Sequence, residues 1–189
     1  MGTRFLKRRA FLDRSLAVVI AGLTRRLWAQ GAAALRYRPL ARPVLVPLAD
    51  LSAPGRARQF VADAVTLASA ATPNQPIRIT GMVVRIAAGP GSHAPDRFRA
   101  ICVRCPHEYC DVDFLADPRG LPPEVVAEIG HDVKTPVYVC PCHNSTFTLE
   151  DGERLAGPAP RGLYRFRVTN VTDAAVEIGE VEEDMLIFV

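Results

Sequence analysis

Short stretches of alternating apolar and polar residues dominate the chain after Leu48. In Arg165-Phe166-Arg167-Val168 an arginine precedes each apolar residue, and such a period of two is typical of a strand with one buried face. The pattern predicts strands over residues 77–86, 97–103, 137–140, 145–149, 163–171, 174–178 and 185–189. Gly and Pro separate these segments, so we expect an all-β domain built as a small antiparallel sandwich or barrel.

Two further segments break this pattern. Residues 122–129 predict one helix, because Pro122 stands at its start and Gly130 follows its end. Residues 32–47 are rich in Ala, Arg and Pro and predict a tether that leads into a domain over residues 48–189.

Charge is divided unevenly along the 189 residues. Residues 1–42 hold ten of the 23 Lys and Arg residues and one of the 20 acids, so this part carries +9 and the remainder −6. The net charge of +3 therefore does not describe a uniformly basic surface. Nucleic-acid binding by the folded part is not expected.

The basic front of the chain contains a paired arginine before an apolar run. Arg8-Arg9 is followed by Phe11 and Leu12, and residues 15–24 are uncharged between flanking arginines. Ten helical residues span roughly 15 Å, about half of a bilayer's hydrocarbon core, which fits the apolar region of a signal better than a membrane span. The segment resembles a twin-arginine export signal, so residues 1–31 are predicted to be a helical signal or signal-anchor. A basic-ended amphipathic helix and a mitochondrial-type presequence are the alternatives.

All five cysteines lie between positions 102 and 142, and such clustering indicates one local site. Two short motifs carry most of them: Cys105-Pro106-His107-Glu108-Tyr109-Cys110 and Cys140-Pro141-Cys142-His143-Asn144-Ser145. A third element, Gly157-Pro158-Ala159-Pro160, follows about a dozen residues later.

These three motifs resemble the Rieske iron–sulfur family, whose ligand loops read C-x-H-x-x-C and C-x-C-H-x-S. The resemblance implies a Rieske-type antiparallel β sandwich with a small cluster-binding subdomain at about residues 101–160. It implies one [2Fe–2S] cluster per chain, with Cys105, His107, Cys140 and His143 as ligands and a disulfide between Cys110 and Cys142. It also implies that Ser145 hydrogen-bonds a bridging sulfide and that a proline loop with Pro158 and Pro160 covers the cluster.

The choice of two cysteines and two histidines as ligands affects the charge and the reduction potential of the cluster. Two thiolates on one iron and two imidazoles on the other leave the oxidised centre without net charge, which makes adding an electron less costly and raises the potential. A disulfide fits an oxidising compartment. The export signal and the spare cysteine pair therefore support each other.

The chain also departs from the family pattern. High-potential members carry a tyrosine two positions after the serine, where this chain has Phe147. Losing one hydrogen bond of about 0.5–1.5 kcal/mol should lower a one-electron potential by roughly 20–65 mV, which favours menaquinol over ubiquinol as donor. The family often has Leu-Gly at Glu108-Tyr109 and Gly at Asn144, and Glu108 alters the tip that docks on a quinol pocket.

The resemblance implies an electron-transfer subunit that is not catalytic alone, in a quinol:cytochrome c oxidoreductase of the cytochrome bc type. Its partners would be quinol, a cytochrome b and a c-type cytochrome. The exposed ligand His143 would contact quinol and couple proton to electron transfer. The predicted location is the periplasmic face of a bacterial cytoplasmic membrane, with attachment through the N-terminus or the partner subunits.

Other readings remain open from sequence. One is an exported small subunit of a molybdenum oxidase such as arsenite oxidase, and another is a dioxygenase ferredoxin. A zinc domain would use Cys102, Cys105, Cys140 and either Cys142 or His143, although Cys102 is more simply a small buried strand residue. The acidic run of Glu180, Glu182, Glu183 and Asp184 is expected to be a solvated face, or else a surface that attracts a basic partner.

Overall fold

The computed structural model describes residues 35–68, 73–87 and 93–183. These residues form ten strands and one α-helix, α1, at Pro123–Ile129. The strands are β1 (Tyr37–Pro47), β2 (Ala57–Ala68), β3 (Pro73–Arg85), β4 (Phe98–Cys102), β5 (Asp113–Leu115), β6 (Val137–Val139), β7 (Thr146–Thr148), β8 (Arg154–Ala156), β9 (Arg165–Val171) and β10 (Ala175–Glu182).

The strands build two antiparallel sheets. The larger sheet has six strands in the order β1-β10-β9-β4-β3-β2, and the smaller has four in the order β5-β6-β7-β8. The predicted all-β antiparallel class is confirmed. The strands of the smaller sheet all fall within residues 101–160, the range expected for the cluster-binding subdomain, whose boundaries stay a prediction.

Two apolar clusters fill these sheets. In the first, alternate residues of β9, among them Phe166 and Val168, pack against buried residues of β1, β4 and β10. The second cluster joins the sheets, because Ile101 of the larger sheet packs there with Tyr138 and Phe147 of the smaller one. Cys105 and Cys140 belong to this second cluster. The first residue of each ligand loop therefore lies in the core that the two sheets share.

The predicted helix is confirmed as α1. Pro123 occupies its first turn, where a missing N–H costs nothing, and Gly130 ends it with a φ of 78°. Val125 and the preceding Leu121 are buried against Val137 and Ala156 in a third apolar cluster. The helix is thus packed on the smaller sheet. None of the described helices is long and apolar enough to cross a membrane.

The predicted tether is wrong for residues 37–47, which form β1 and pair with β10 from Tyr37↔Glu182 to Pro47↔Ala175. β1 lies at the edge of the sheet, and its register shifts between Pro39 and Val44. Prolines are tolerated there because an edge strand does not need every N–H for the ladder. The predicted signal over residues 1–31 and the strand over 185–189 lie outside the described residues.

Candidate metal centre

Two six-residue loops form the tips of two hairpins. The first loop, residues 105–110, is closed by an antiparallel bridge between Arg104 and Asp111. The second loop, residues 140–145, joins β6 to β7 and is closed by the pair Val139↔Thr146. Each loop therefore begins with a cysteine directly after an extended segment that is anchored in a sheet.

The two loops share one hydrogen-bond pattern. In each, the first residue donates its N–H to the carbonyl of the sixth: Cys105 to Cys110 at 2.9 Å and Cys140 to Ser145 at 2.8 Å. In each, the fifth residue donates back to the carbonyl of the first: Tyr109 to Cys105 at 3.0 Å and Asn144 to Cys140 at 2.9 Å. The backbone thus presents two similar concave loops.

The fifth position of both loops is left-handed, with a φ of 60° at Tyr109 and 56° at Asn144. Asparagine tolerates this region, whereas a bulky residue is strained there. These are two of the positions at which the chain departs from the family pattern of glycine. The first loop therefore stores backbone strain that the second does not.

Arg104 supports the strained residue. Its Nη1 donates to the carbonyl of Tyr109 at 3.0 Å and lies 3.2 Å from Asp111 Oδ1. Val139 holds the equivalent place before the second loop and has no side-chain donor. In the second loop the carbonyl of the fifth residue, Asn144, instead accepts from Thr146 Oγ1 at 3.0 Å, from the residue that follows the loop.

A disulfide joins the loops. Cys110, the sixth residue of the first loop, is bonded to Cys142, the third residue of the second. This is the pairing that the family resemblance implies. The bond connects residues 32 positions apart and fixes the loops side by side.

The first cysteine of each loop lies at the buried base of the site. Cys105 and Cys140 are free thiols, 0% and 1% exposed. Burial raises the pKa of the Cys105 thiol, and the neighbouring Cys140 thiol raises it further. The His107 backbone N–H and the Ser145 hydroxyl act in the opposite direction on that pKa. Two adjacent thiols with hydrogen-bond donors around them are suited to bind metal as thiolates.

The two histidines form the outer part of the site. The ring centroids of His107 and His143 are 4.9 Å apart with planes at 86°. His107 Nδ1 is buried, and the described residues provide it with no hydrogen-bond partner. A buried imidazole nitrogen needs a partner, and a metal ion meets that need. The residues present therefore fit a metal group held between the loops.

The donors are arranged as two pairs. One donor group of the described residues joins His107 and His143 with Glu108, and a separate one joins Cys140 with the disulfide sulfurs. A single tetrahedral ion would need all four predicted ligands around one point. Cys105 is in neither group, but its thiol neighbours that of Cys140. A pair of thiols and a separate pair of imidazoles suit two metal ions, one for each pair.

The predicted zinc set is not assembled. Cys142 is held in the disulfide, and Cys102 lies buried in β4 with burial raising its pKa to about 11. The Cys102 sulfur instead accepts a hydrogen bond from the Arg104 N–H at 3.5 Å. Cys102 is therefore part of the core, as the simpler reading of the sequence predicted.

The proline loop, residues 157–160, packs directly on the second ligand loop. Ser145 is fully buried, and its Oγ accepts a hydrogen bond from the Ala159 N–H at 3.1 Å. Because Oγ accepts this bond, its own hydrogen is free to donate to a sulfur atom of the site. Pro158 and Pro160 are exposed on either side of the buried Ala159. The loop therefore covers the site with prolines outward.

Phe147 lies below the second loop, fully buried opposite Tyr138 on β6. It shares the apolar cluster of Cys105 and Cys140. Its ring offers no hydrogen-bond donor to either thiol. The residue thus has the surroundings that the predicted effect on potential requires.

Glu108 lies at the tip beside the histidines. Its carboxylate Oε2 is 3.8 Å from His143 Nδ1, beyond hydrogen-bond distance, and the two side chains are 60% and 45% exposed. Tyr109 next to it is 50% exposed. The tip therefore presents an acid and a phenol around the outer histidine.

One ion pair below the proline loop was missed from sequence. Glu182, expected on a solvated face, has a side chain that is 2% exposed and accepts from Arg161 Nη2 at 2.5 Å and the Arg165 N–H at 3.0 Å. The Arg161 guanidinium also lies 3.7 Å from the centroid of the Tyr164 ring. Glu182 is therefore a structural partner of the segment that follows the proline loop. The one sequence signal for this role is the position of Glu182 at the end of the apolar strand β10.

Comparison with known proteins agrees with the geometry. The family model of the Rieske [2Fe–2S] domain matches residues 64–169, more than half of the chain, and the range includes both ligand loops and the proline loop. A search of the curated proteins finds no match to this chain. With the matched range and cysteine and histidine groups able to bind the cofactor, the chain belongs to the Rieske family and carries a [2Fe–2S] cluster.

Proposed function

We propose that this iron–sulfur domain takes one electron from quinol and passes it to a c-type cytochrome, as the Rieske subunit of a complex of the cytochrome bc type. Electron transfer through an iron–sulfur cluster is the activity of the family to which the chain belongs. The choice of quinol, cytochrome b and c-type cytochrome as partners is the part that we propose.

In this proposal Cys105 and Cys140 hold the inner iron, and His107 and His143 hold the outer one. The cluster supplies one-electron chemistry, and the protein decides what can approach it. The buried thiols keep the inner side dry, because both lie in the apolar cluster between the sheets. The disulfide and the proline loop hold the two ligand loops around the cluster.

The observation that carries the proposal is the asymmetric exposure of the histidines. His107 is half-buried with its Nδ1 atom inside, whereas His143 is exposed, with 45% of its side chain open at the tip. An exposed imidazole can hydrogen-bond a quinol hydroxyl and hold the proton that the quinol releases. His143 is therefore our proposed quinol contact.

Three other features support the proposed compartment and electron donor. The Cys110–Cys142 bond supports an oxidising location, and the twin-arginine pattern supports export of a folded, cluster-loaded protein to the periplasmic face of the membrane. Phe147 has no hydroxyl with which to hydrogen-bond a ligand sulfur, and this supports a low-potential donor such as menaquinol.

Affinity purification of the full chain from detergent-solubilised membranes tests the proposal. A tag at Val189 leaves any processing of the N-terminus undisturbed. We expect haem b and haem c bands in the optical spectrum of the purified complex, in stoichiometric amounts with the [2Fe–2S] signal. Stoichiometric molybdenum without haem b would overturn the bc-type assignment in favour of a molybdenum oxidase. The [2Fe–2S] assignment would be unaffected.

Direct reduction of the cluster tests the quinol step. Menaquinol added anaerobically to the purified complex should reduce the [2Fe–2S] centre, as seen in its paramagnetic resonance spectrum. An excess of quinone should change the line shape of the reduced centre, because His143 lies at the exposed tip. A centre that dithionite reduces but menaquinol does not would contradict quinol as the donor.

A further inference from the structure

We propose that helix α1 braces the proline loop, and that Glu128 is the positioning residue through which it does so. The helix lies in the long interval between the two ligand loops and contributes no metal ligand. Its place beside the start of the proline loop gives it a role in setting the geometry around Ser145. This inference rests on the role of Ser145 toward the cluster that the family assignment implies.

The contact at its centre joins residues 29 positions apart. The Gly157 N–H donates to Glu128 Oε1 at 2.9 Å, and the Gly157 carbonyl accepts from Arg154 Nη1 at 2.8 Å. Glu128 Oε1 and Arg154 Nη1 are 4.0 Å apart. Both backbone polar groups of Gly157 are thus held by charged side chains, and such hydrogen bonds are stronger than neutral ones.

The helix is a firm support for this contact. Val125 is buried, and Val126 and Ile129 pack on the same apolar cluster, which includes Val137 of β6 and Ala156 of β8. The exposed face of the helix carries Glu128. The carboxylate therefore projects from a packed element, and its position is set by the smaller sheet.

Gly157 transmits that position to Ser145. Its φ is +84°, and a Cβ atom there would lie 2.5 Å from Ser145 Cα and 2.9 Å from Ser145 Oγ. Two residues later, the Ala159 N–H donates to Ser145 Oγ at 3.1 Å. Because the loop touches Ser145 at both places, a shift of Gly157 changes the direction from which Ala159 approaches Oγ.

The direction from which the Ala159 N–H approaches Ser145 Oγ determines where the hydroxyl hydrogen of Ser145 points. Oγ receives the Ala159 N–H on one lone pair, which leaves its hydrogen to point toward the site. Loosening the brace therefore weakens the hydrogen bond that Ser145 donates, without removing any ligand.

Four variants of the cluster-loaded protein test the brace: Glu128→Ala, Glu128→Gln, Glu124→Ala and Ser145→Ala. Glu124 lies exposed in the first turn of the same helix and is the matched control. Two quantities are measured at equal iron content: amide hydrogen exchange of the peptide covering residues 154–162, and the midpoint potential of the cluster.

We expect Glu128→Ala to speed exchange at Gly157 and Ala159 and to lower the midpoint potential. The midpoint potential should shift in the same direction as in Ser145→Ala, but by less. Glu128→Gln keeps an acceptor oxygen and should fall between Glu128→Ala and the parent. Glu124→Ala should match the parent in both quantities.

Unchanged exchange in Glu128→Ala would overturn the brace, and so would faster exchange with a parental potential when Ser145→Ala does lower it. A Ser145→Ala variant with the parental potential would instead refute the role of Ser145 in the proposed site. In that case the exchange rates alone still decide whether Glu128 holds the proline loop.

Discussion

The first and second ligand loops have nearly the same backbone but different side chains at the positions that matter. Both begin with a buried cysteine that a proline follows, and both close with the same two hydrogen bonds. The first loop has a strained Tyr109 and ends in a disulfide cysteine, whereas the second has Asn144 and ends in the buried Ser145. The shared backbone places the ligands, and the disulfide takes one cysteine from each loop. The differences give the first loop its strained residue and the second loop its tuning hydroxyl.

The largest expected effect concerns what the loops share. Each supplies one thiolate from its first position, so Cys105→Ser and Cys140→Ser should both lose the cluster completely. Iron and sulfide analysis and the visible absorption of the purified protein measure this. Cys102→Ser is the control and should keep full iron content, because that thiol lies in the core of β4. Cluster retention in one of the two ligand variants would break the equivalence of the loops.

The disulfide gives the next largest effect. Replacing both Cys110 and Cys142 by Ser opens a closed segment of about 33 residues. The unfolded chain then gains conformational entropy, which should lower the free energy of unfolding by about 3–4 kcal/mol. We expect a lower urea midpoint and faster loss of the visible absorption during unfolding. The parent protein treated with reductant should behave like the double variant. Equal stability of the parent and the double variant would mean that the loops hold together without the bond.

Glycine at the fifth position tests the difference in strain. The left-handed region costs an ordinary residue about 1–2 kcal/mol of strain, which glycine avoids. Glycine also makes the unfolded chain more flexible, and this lowers stability by about 0.5–1 kcal/mol. Tyr109→Gly should therefore raise the free energy of unfolding by about 0.5–1 kcal/mol. Asn144→Gly should change it by less, since asparagine tolerates this region. A larger gain at Asn144 than at Tyr109 would reverse the comparison.

The hydroxyl at the end of the second loop sets the potential. Ser145→Ala removes one hydrogen bond worth about 0.5–1.5 kcal/mol to the reduced state, so the midpoint should fall by roughly 20–65 mV. A redox titration followed by paramagnetic resonance measures the shift. Ser52→Ala, far along the chain in an exposed turn, is the control. A midpoint equal to that of the control would remove Ser145 from the tuning groups.

The smallest structural change adds one hydroxyl below the second loop. Phe147→Tyr supplies a donor beside the ligand thiols and should raise the midpoint by roughly 20–65 mV. Phe114→Tyr, on a half-buried ring of the smaller sheet, serves as the control and should leave the midpoint unchanged. A midpoint in Phe147→Tyr no higher than in the parent would contradict the low-potential interpretation of Phe147.

Local pattern predicts strands such as β6 and β9, which carry a clear apolar signal, and misses strands such as β1 and β2, which do not. The sequence of β9 alternates from Arg165 to Val168 and predicts a strand, and the proline start and glycine end of α1 predict a helix. β2 mixes four alanines and an aspartate with its strand-favouring residues, so its pairing with β3 decides its structure. In β1 the prolines suggested a tether, and its place at the sheet edge is a property of the tertiary fold.

In the candidate site, too, the sequence predicts local features and misses contacts between residues that are far apart along the chain. The spacing of cysteine and histidine predicted which residues meet, because the ligand loops are short and local. The contacts of Glu128 with Gly157 and of Arg161 with Glu182 join residues 29 and 21 positions apart. Such contacts depend on how sheets and loops approach each other, and no local pattern records that approach.

The spacing of three sulfur atoms has a consequence for assembly. The sulfurs of Cys110, Cys140 and Cys142 lie within 4.8 Å of one another. A free Cys140 thiolate is therefore placed to attack the neighbouring bond and exchange partners. Iron bound at that sulfur would block the attack and preserve the Cys110–Cys142 pairing. The metal would then act as a protecting group for the disulfide, and oxidation before iron is bound would leave Cys140 free to exchange with it.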